Sequence, residues 1–197
     1  MQLGFMQKAD NIKEYAKTVL SKKRFVHTVN VAEEAKRLAA IWGEDKTRAY
    51  LAGIIHDIAK EVPDKQALDK LTEYGYSPDE TEKQNPELLH GKLAAYMAQD
   101  KFGVDDKEVL SAVAYHTTGR PQMSLLEKII YVADFTEPGR SYPEANEIRK
   151  LADQNLDKAV LYQADIVIKF IIDKGSPLHT DTVNTRNYFL LKLKEEL

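Results

Sequence analysis

Cysteine is absent from the 197 residues. Disulfides, zinc–thiolate sites and cysteine nucleophiles are excluded with it. An excess of one charge sign is also lacking: 28 Lys and Arg stand against 31 Asp and Glu, a net charge of −3. No overall basic field draws in nucleic acid, so an anionic ligand must be met by local positive charge. Long apolar runs are missing too. Ile166-Val167-Ile168 is interrupted by Lys169 before Phe170-Ile171-Ile172, well short of the ~18 apolar residues a spanning helix needs. The stretch Met1 to Asp10 has no long apolar h-region of a signal peptide. These absences lead us to expect a cytoplasmic protein with neither a membrane nor a nucleic-acid partner.

Alternating strand patterns of useful length, internal repeats and low-complexity tracts are likewise missing. Helical periodicity fills the chain instead. Ile12, Tyr15, Ala16, Val19 and Leu20 follow amphipathic spacing. Phe25, Val29, Ala32, Ala35, Leu38 and Trp42 do the same over 23–42, closed by Gly43. A third helix begins near Asp45 and runs into His56-Asp57. Asp64 opens a short helix ending at Gly75, and 74–87 reads as an irregular connector with room for a turn of helix. Asn85-Pro86 suits the start of a helix that stops at Gly103, and Asp105 or Asp106 starts one reaching His116. Ser124 and Glu127 form a capping box for a helix to Asp134. Pro138, Gly139 and Pro143 mark a long loop with Arg140 and Arg149 at its ends, and two further helices follow. We expect an all-α bundle of about eight to ten helices. With 43% hydrophobic residues the core is sizeable, and the whole chain, 1–197, is expected to form one domain. Its site would lie in about 20–140, with the helices of 145–197 packed on it.

Among these apolar stretches, Ala52-Gly53-Ile54-Ile55-His56-Asp57-Ile58-Ala59-Lys60 stands out. An imidazole and a carboxylate buried there each need a partner, either a structural hydrogen bond or a cation. The other helices bear on the choice. His27 lies near the start of the second, His90 in the first turns of another, His116 at a helix end, and Asp134 at the end of Tyr131-Val132-Ala133-Asp134. Five helices delivering His, His-Asp, His, His and Asp toward one core make separate structural explanations a poor account. Imidazole and carboxylate suit iron, manganese or zinc. Six donors exceed what one catalytic metal takes, whereas two metals sharing a carboxylate use them all. His179, the fifth histidine, reads as structural or exposed. Lys60 by its spacing alone is a solvated lysine at a helix C-terminus.

The order His27…His56-Asp57…Asp134 resembles the HD-domain superfamily of metal-dependent phosphohydrolases, an all-α fold. His90 and His116 are similar to the additions found in its two-metal members. More narrowly, the chain resembles the YqeK family of symmetrical bis(5′-nucleosyl)-tetraphosphatases. The motifs are Lys23-Arg24-Phe25-Val26-His27-Thr28, Gly53 to Lys60, Leu89-His90-Gly91, His116-Thr117-Thr118-Gly119, Ala133-Asp134-Phe135-Thr136-Glu137-Pro138-Gly139-Arg140 and Arg186-Asn187.

The resemblance implies that His27, His56, Asp57 and Asp134 hold one metal. Asp57 bridges to a second, completed by His90 and His116. Iron is the implied metal, with manganese or another divalent ion as substitute. A metal-bridging hydroxide would attack phosphorus in line, turning diadenosine tetraphosphate into two ADP. With Asp57, Lys60 of the His-Asp-x-x-Lys motif becomes a catalytic residue facing the phosphate charge. Arg24, Arg140 and Arg186 become phosphate or base contacts, although each also reads as an ordinary surface arginine. Thr117, Thr118 and Gly119 would line the pocket. The resemblance further implies a homodimer. Three other readings stand beside this one: another HD-type phosphohydrolase or phosphodiesterase, a di-iron HD oxygenase, or a non-catalytic nucleotide-binding module. The Gly-Tyr-Pro signature of cyclic-dinucleotide hydrolases is absent.

Overall fold

A computed structural model of the chain describes residues 2–195, and every described element is helical. The helices are α1 (Gln2–Val19), α2 (Lys22–Trp42), α3 (Lys46–Ile55), α4 (Asp64–Glu73), α5 (Glu80–Gln84), α6 (His90–Phe102), α7 (Lys107–Ala114), α8 (Leu125–Thr136), α9 (Pro143–Gln154), α10 (Leu156–Asp173) and α11 (Thr180–Glu195). A 3₁₀ turn, Pro86–Leu89, precedes α6. None of the described helices is long and apolar enough to cross a membrane.

Most boundaries follow from short polar side chains that satisfy the free N–H groups of a first turn. Ser21 accepts from Arg24 N–H, Asp45 from the N–H groups of Thr47 and Arg48, and Asn155 from Lys158 N–H. Ser124 and Glu127 form the reciprocal box that starts α8. Gly43, in the left-handed region at φ 78°, closes α2 by donating to Ala39 O.

Departures from the sequence expectation have local causes. The connector at 74–87 contains α5, built on an Asp79–Glu82 capping box. The Asn85 side chain makes no cap hydrogen bond; the turn after it is 3₁₀ and α6 starts only at His90. α7 ends at Ala114, leaving His116 in the turn beyond it, and α8 continues two residues past Asp134. Arg149 does not end a long loop. Pro143 opens α9 at a position where its missing N–H costs nothing, and Arg149 projects from that helix. There it donates to the carbonyls of Thr136 (2.6 Å), Glu137 (2.7 Å) and Arg140 (2.6 Å), pinning the α8–α9 loop.

α3 is the axis of the packing, with every residue from Ala49 to Ile55 buried. It contacts α1, α2, α6, α7 and α8, while α9 and α10 pack on α8 and on each other, and α11 packs on α10. Side chains such as Leu51, Ile54 and Ile55, fully buried there, contribute about 1.5–3 kcal/mol each. Gly53 permits the closest crossing, since a Cβ on it would lie 2.5 Å from Ala32 Cα on α2. This approach brings His27 and His56 within reach of each other.

Asp106 seats α7 in two ways. Its Oδ1 accepts from the N–H groups of Glu108 (3.0 Å) and Val109 (3.1 Å), and both oxygens take the Arg48 guanidinium at 2.8 and 3.0 Å. Asp106→Ala is expected to destabilise the protein by about 1–2 kcal/mol, read as a shifted midpoint in urea melts. Burial works against the Asp106 charge, but Arg48 and the capped N–H groups outweigh it and lower its pKa. Its contribution is complete above the ordinary aspartate range and fades as pH falls through the lowered folded value. The wild-type and variant midpoints should therefore converge in acid; a constant gap down to the acid transition would contradict the assignment.

Candidate metal centre

His56 caps the C-terminus of α3, and the chain then tightens into i→i+3 turns, with Lys60 N–H donating to Asp57 O at 2.9 Å. His27 reaches the same point from α2, Asp134 from α8, His90 from the start of α6 and His116 from the turn after α7. Donor atoms of His27, His56 and Asp134 lie within 4.8 Å of one another, as do those of His56, Asp57 and His116. His90 joins through His116, Nε2 to Nε2 at 3.0 Å, and through Asp57 Oδ1 at 3.2 Å. All six sequence-selected donors thus meet in one cluster. Gly91 makes room for it, since a Cβ there would lie 2.8 Å from Val113 O and 3.0 Å from His116 Nδ1.

The protons of these rings can be assigned from their outer partners. His56, His90 and His116 each place Nδ1 against a backbone carbonyl, of Gly53, Glu87 and Val113 respectively. A carbonyl only accepts, so Nδ1 carries the proton, and in the neutral ring Nε2 is the lone pair that faces the cluster. His27 Nδ1 lies 3.2 Å from Glu137 Oε1, which leads to the same tautomer. Four lone pairs and two carboxylates therefore converge. His27 Nε2 and His56 Nε2 are buried with no hydrogen-bond partner, even though His27 Nε2 approaches Asp134 Oδ1 to 3.0 Å. Such an electron-rich set suits a cation, and the donor types fit a first-row metal.

Asp57 faces both halves of the cluster. Its Oδ2 lies 3.5 Å from His56 Nε2 and 3.7 Å from His27 Nε2, and its Oδ1 faces His90. Burial opposes its charge, but His56 and His90 outweigh burial and hold its pKa well below the usual range. Asp134 is lowered in the same contest, chiefly by His27 and His56. Burial would depress His56, yet Asp57 and Asp134 raise it. His116, buried and next to His90 and His56, is pushed down to about 3 and so presents a neutral ring.

The remaining selected residues divide into two groups. Arg24 Nη1 donates to Asp57 Oδ2 at 2.9 Å, Arg140 Nη2 lies 3.5 Å from Asp134 Oδ1, Lys60 Nζ 3.5 Å from His90 Nδ1, and Thr117 Oγ1 3.3 Å from His116 Nε2. These four border the cluster. Thr118 and Gly119 instead pack on α11: Thr118 O accepts from Thr185 Oγ1, and a Cβ on Gly119 would meet that hydroxyl at 2.7 Å. Arg186 is turned to Asp165 of α10 at 2.8 Å. A cavity of about 470 Å³ opens beside His27, lined by Lys23, Arg24, Asn30, Glu137, Arg140 and Tyr142 among others. Of these, Lys23, Asn30, Glu137 and Tyr142 were not picked out by sequence. Glu137 carried a usable signal, since it follows Asp134 by one helical turn.

Two other features are distinct from this centre. A smaller, more apolar hollow of about 260 Å³ between α6 and α7 is lined by Tyr76, Tyr96 and Tyr115. His179, with 4% of its surface exposed, meets Asp79 Oδ2 at 3.1 Å near Glu82. Glu82 already accepts from Tyr76 OH, Lys92 Nζ and Asp79 N–H, so that cluster is a hydrogen-bonded clamp joining α5 to the start of α11. His179 is structural there.

The HD domain family matches residues 24–139. A symmetrical bis(5′-nucleosyl)-tetraphosphatase of Bacillus subtilis is 40% identical over 174 residues, covering 88% of this chain and 93% of that protein. Another of that name, from Halalkalibacterium halodurans, is 39% identical over 92% of this chain and 96% of its own length. A crystal structure from Clostridium acetobutylicum, of a predicted HD superfamily hydrolase involved in NAD metabolism, superimposes with a TM-score of 0.91 at 45% identity, over 93% of this chain and 97% of that one. The chain belongs to the HD-domain family, in the same branch as the symmetrical bis(5′-nucleosyl)-tetraphosphatases.

Proposed function

We propose that the protein is a metal-dependent phosphoanhydride hydrolase that cleaves diadenosine tetraphosphate and related dinucleoside polyphosphates at the central bridge, releasing two nucleoside diphosphates. The observation that carries this reading is the split of the Asp57 oxygens between two halves of a bare-nitrogen cluster, beside a cavity with Lys23, Arg24 and Arg140. The tetraphosphatase relatives supply the substrate class. His27, His56, Asp57 and Asp134 would hold one metal, and Asp57, His90 and His116 the second. Iron is the resident metal in this proposal, with manganese or another divalent ion as substitute. Such a pair supplies positive charge for the phosphate and ionises water near neutral pH.

The chain's own residues do the rest. Arg24 and Arg140 bind phosphate oxygens with guanidinium forks, and Lys60 meets the charge that grows on the reacting phosphate. Thr117 offers a hydroxyl beside His116 Nε2. Water adds to one of the two inner phosphorus atoms, and the central bridging oxygen leaves with the other half. Chromatography of the products should show ADP alone. Reaction in ¹⁸O-water should label one ADP of each pair, at the β-phosphate. AMP with ATP as products, or no turnover by metal-loaded protein, would refute the proposal.

A further inference from the structure

The four histidines are not held alike. His56, His90 and His116 each give the Nδ1 proton to the carbonyl three residues earlier, of Gly53, Glu87 and Val113. His56 and His116 can do so because each lies at or just past the C-terminal end of a helix, where carbonyls are left over from the i→i−4 ladder; His90 reaches back across the 3₁₀ turn that precedes α6. His27 lies inside α2, where the carbonyls one turn back are taken by the helix. It must find an acceptor elsewhere, and it finds the Glu137 carboxylate at 3.2 Å, 110 residues along the chain. That carboxylate is built in. It is 3% exposed and accepts from Asn30 Nδ2 at 2.9 Å and from Gly139 N–H. A Cβ on Gly139 would lie 2.9 Å from both of its oxygens, so the loop closes over it only because residue 139 is glycine.

We propose that Glu137 is a positioning residue that makes the two metal positions unequal. Backed by a carboxylate rather than a neutral carbonyl, His27 Nε2 is the stronger electron donor to a metal. The position shared by His27, His56, Asp57 and Asp134 therefore holds its ion tightly, and the one completed by His90 and His116 exchanges more readily. The inference rests on the two-metal reading above and adds an order of affinity to it. Glu137 touches no reacting atom in this account; it acts through the His27 ring.

Cobalt(II) titration of metal-free protein, with chelator competition and d–d absorption as readouts, tests it without any activity measurement. Wild type should take up about two ions in two steps. Glu137→Gln keeps the shape but removes the charge, and should weaken the tighter step by about 10–100-fold and alter its absorption band while the weaker step stays put. Gly139→Ala, which keeps the charge but pushes the carboxylate off His27, should do the same and decides the matter if Glu137→Gln does not fold. A role confined to packing would instead lower both steps together. Two steps that fall equally, or not at all, overturn the inference. Wild-type protein that binds no cobalt overturns the metal reading beneath it.

Discussion

Asp57→Ala should lose about a thousandfold or more in turnover and at least half of the bound metal. The argument starts from where the two oxygens point. Oδ2 serves the His27 and His56 side, and Oδ1 the His90 side. No other carboxylate selected here faces both, since Asp134 lies on the His27 and His56 side. Removing Asp57 thus takes a donor from each position at once. It also leaves Arg24 without its 2.9 Å partner, a free cation beside two positions meant for cations. A metal pair stabilises a phosphoryl transition state by several kcal/mol, and roughly 4 kcal/mol corresponds to about three powers of ten in rate. Elemental analysis with single-turnover kinetics measures both quantities, and circular dichroism confirms that the helices persist. A variant that keeps its full metal complement and a tenth of the wild-type rate would remove Asp57 from the shared position. His27→Ala offers the contrast, because it strips a donor from one side only.

The donors themselves were legible because each stands in or beside an apolar helical stretch. A His or Asp at such a place points inward whichever helix it belongs to, and four of these helices pack on the fifth, α3, the most buried one. Caps such as Ser21, Asp45 and the Ser124–Glu127 box mark their own positions through local hydrogen bonds. α5 was legible only as a turn of helix within the connector, because its five residues lie between Pro78 and Pro86, too short for any period to show. Glu137 stands one turn after Asp134, which marks its place, but its task was not readable: that depends on a contact 110 residues away. Arg186 shows the converse. In sequence it matches a motif, but the direction of its side chain is set by how α11 lies on α10, and there it meets Asp165. Residues whose role is local were readable, and those whose role is set by packing were not.

Lys60→Met should separate holding metal from using it. The backbone bond from Lys60 N–H to Asp57 O fixes the lysine one turn beyond the shared carboxylate, and its Nζ lies 3.5 Å from His90 Nδ1. His90 Nδ1 already gives its proton to Glu87 O, so it offers the ammonium no lone pair. Lys60 is therefore a cation at the rim, half-buried, with its charge uncommitted by that contact. An anion entering from the cavity would gain most from it when negative charge builds in the transition state. Removing one such preorganised donor costs on the order of 10²–10³ in kcat. Because Lys60 donates no electron pair to a metal, the variant should bind cobalt or manganese as wild type does, and KM should move far less than kcat. Lys60→Arg, which restores the charge in a different shape, should recover part of the rate. Metal lost in proportion to activity would make Lys60 a structural support of His90, and an unchanged kcat would return it to the solvated helix-end lysine that its spacing alone suggests.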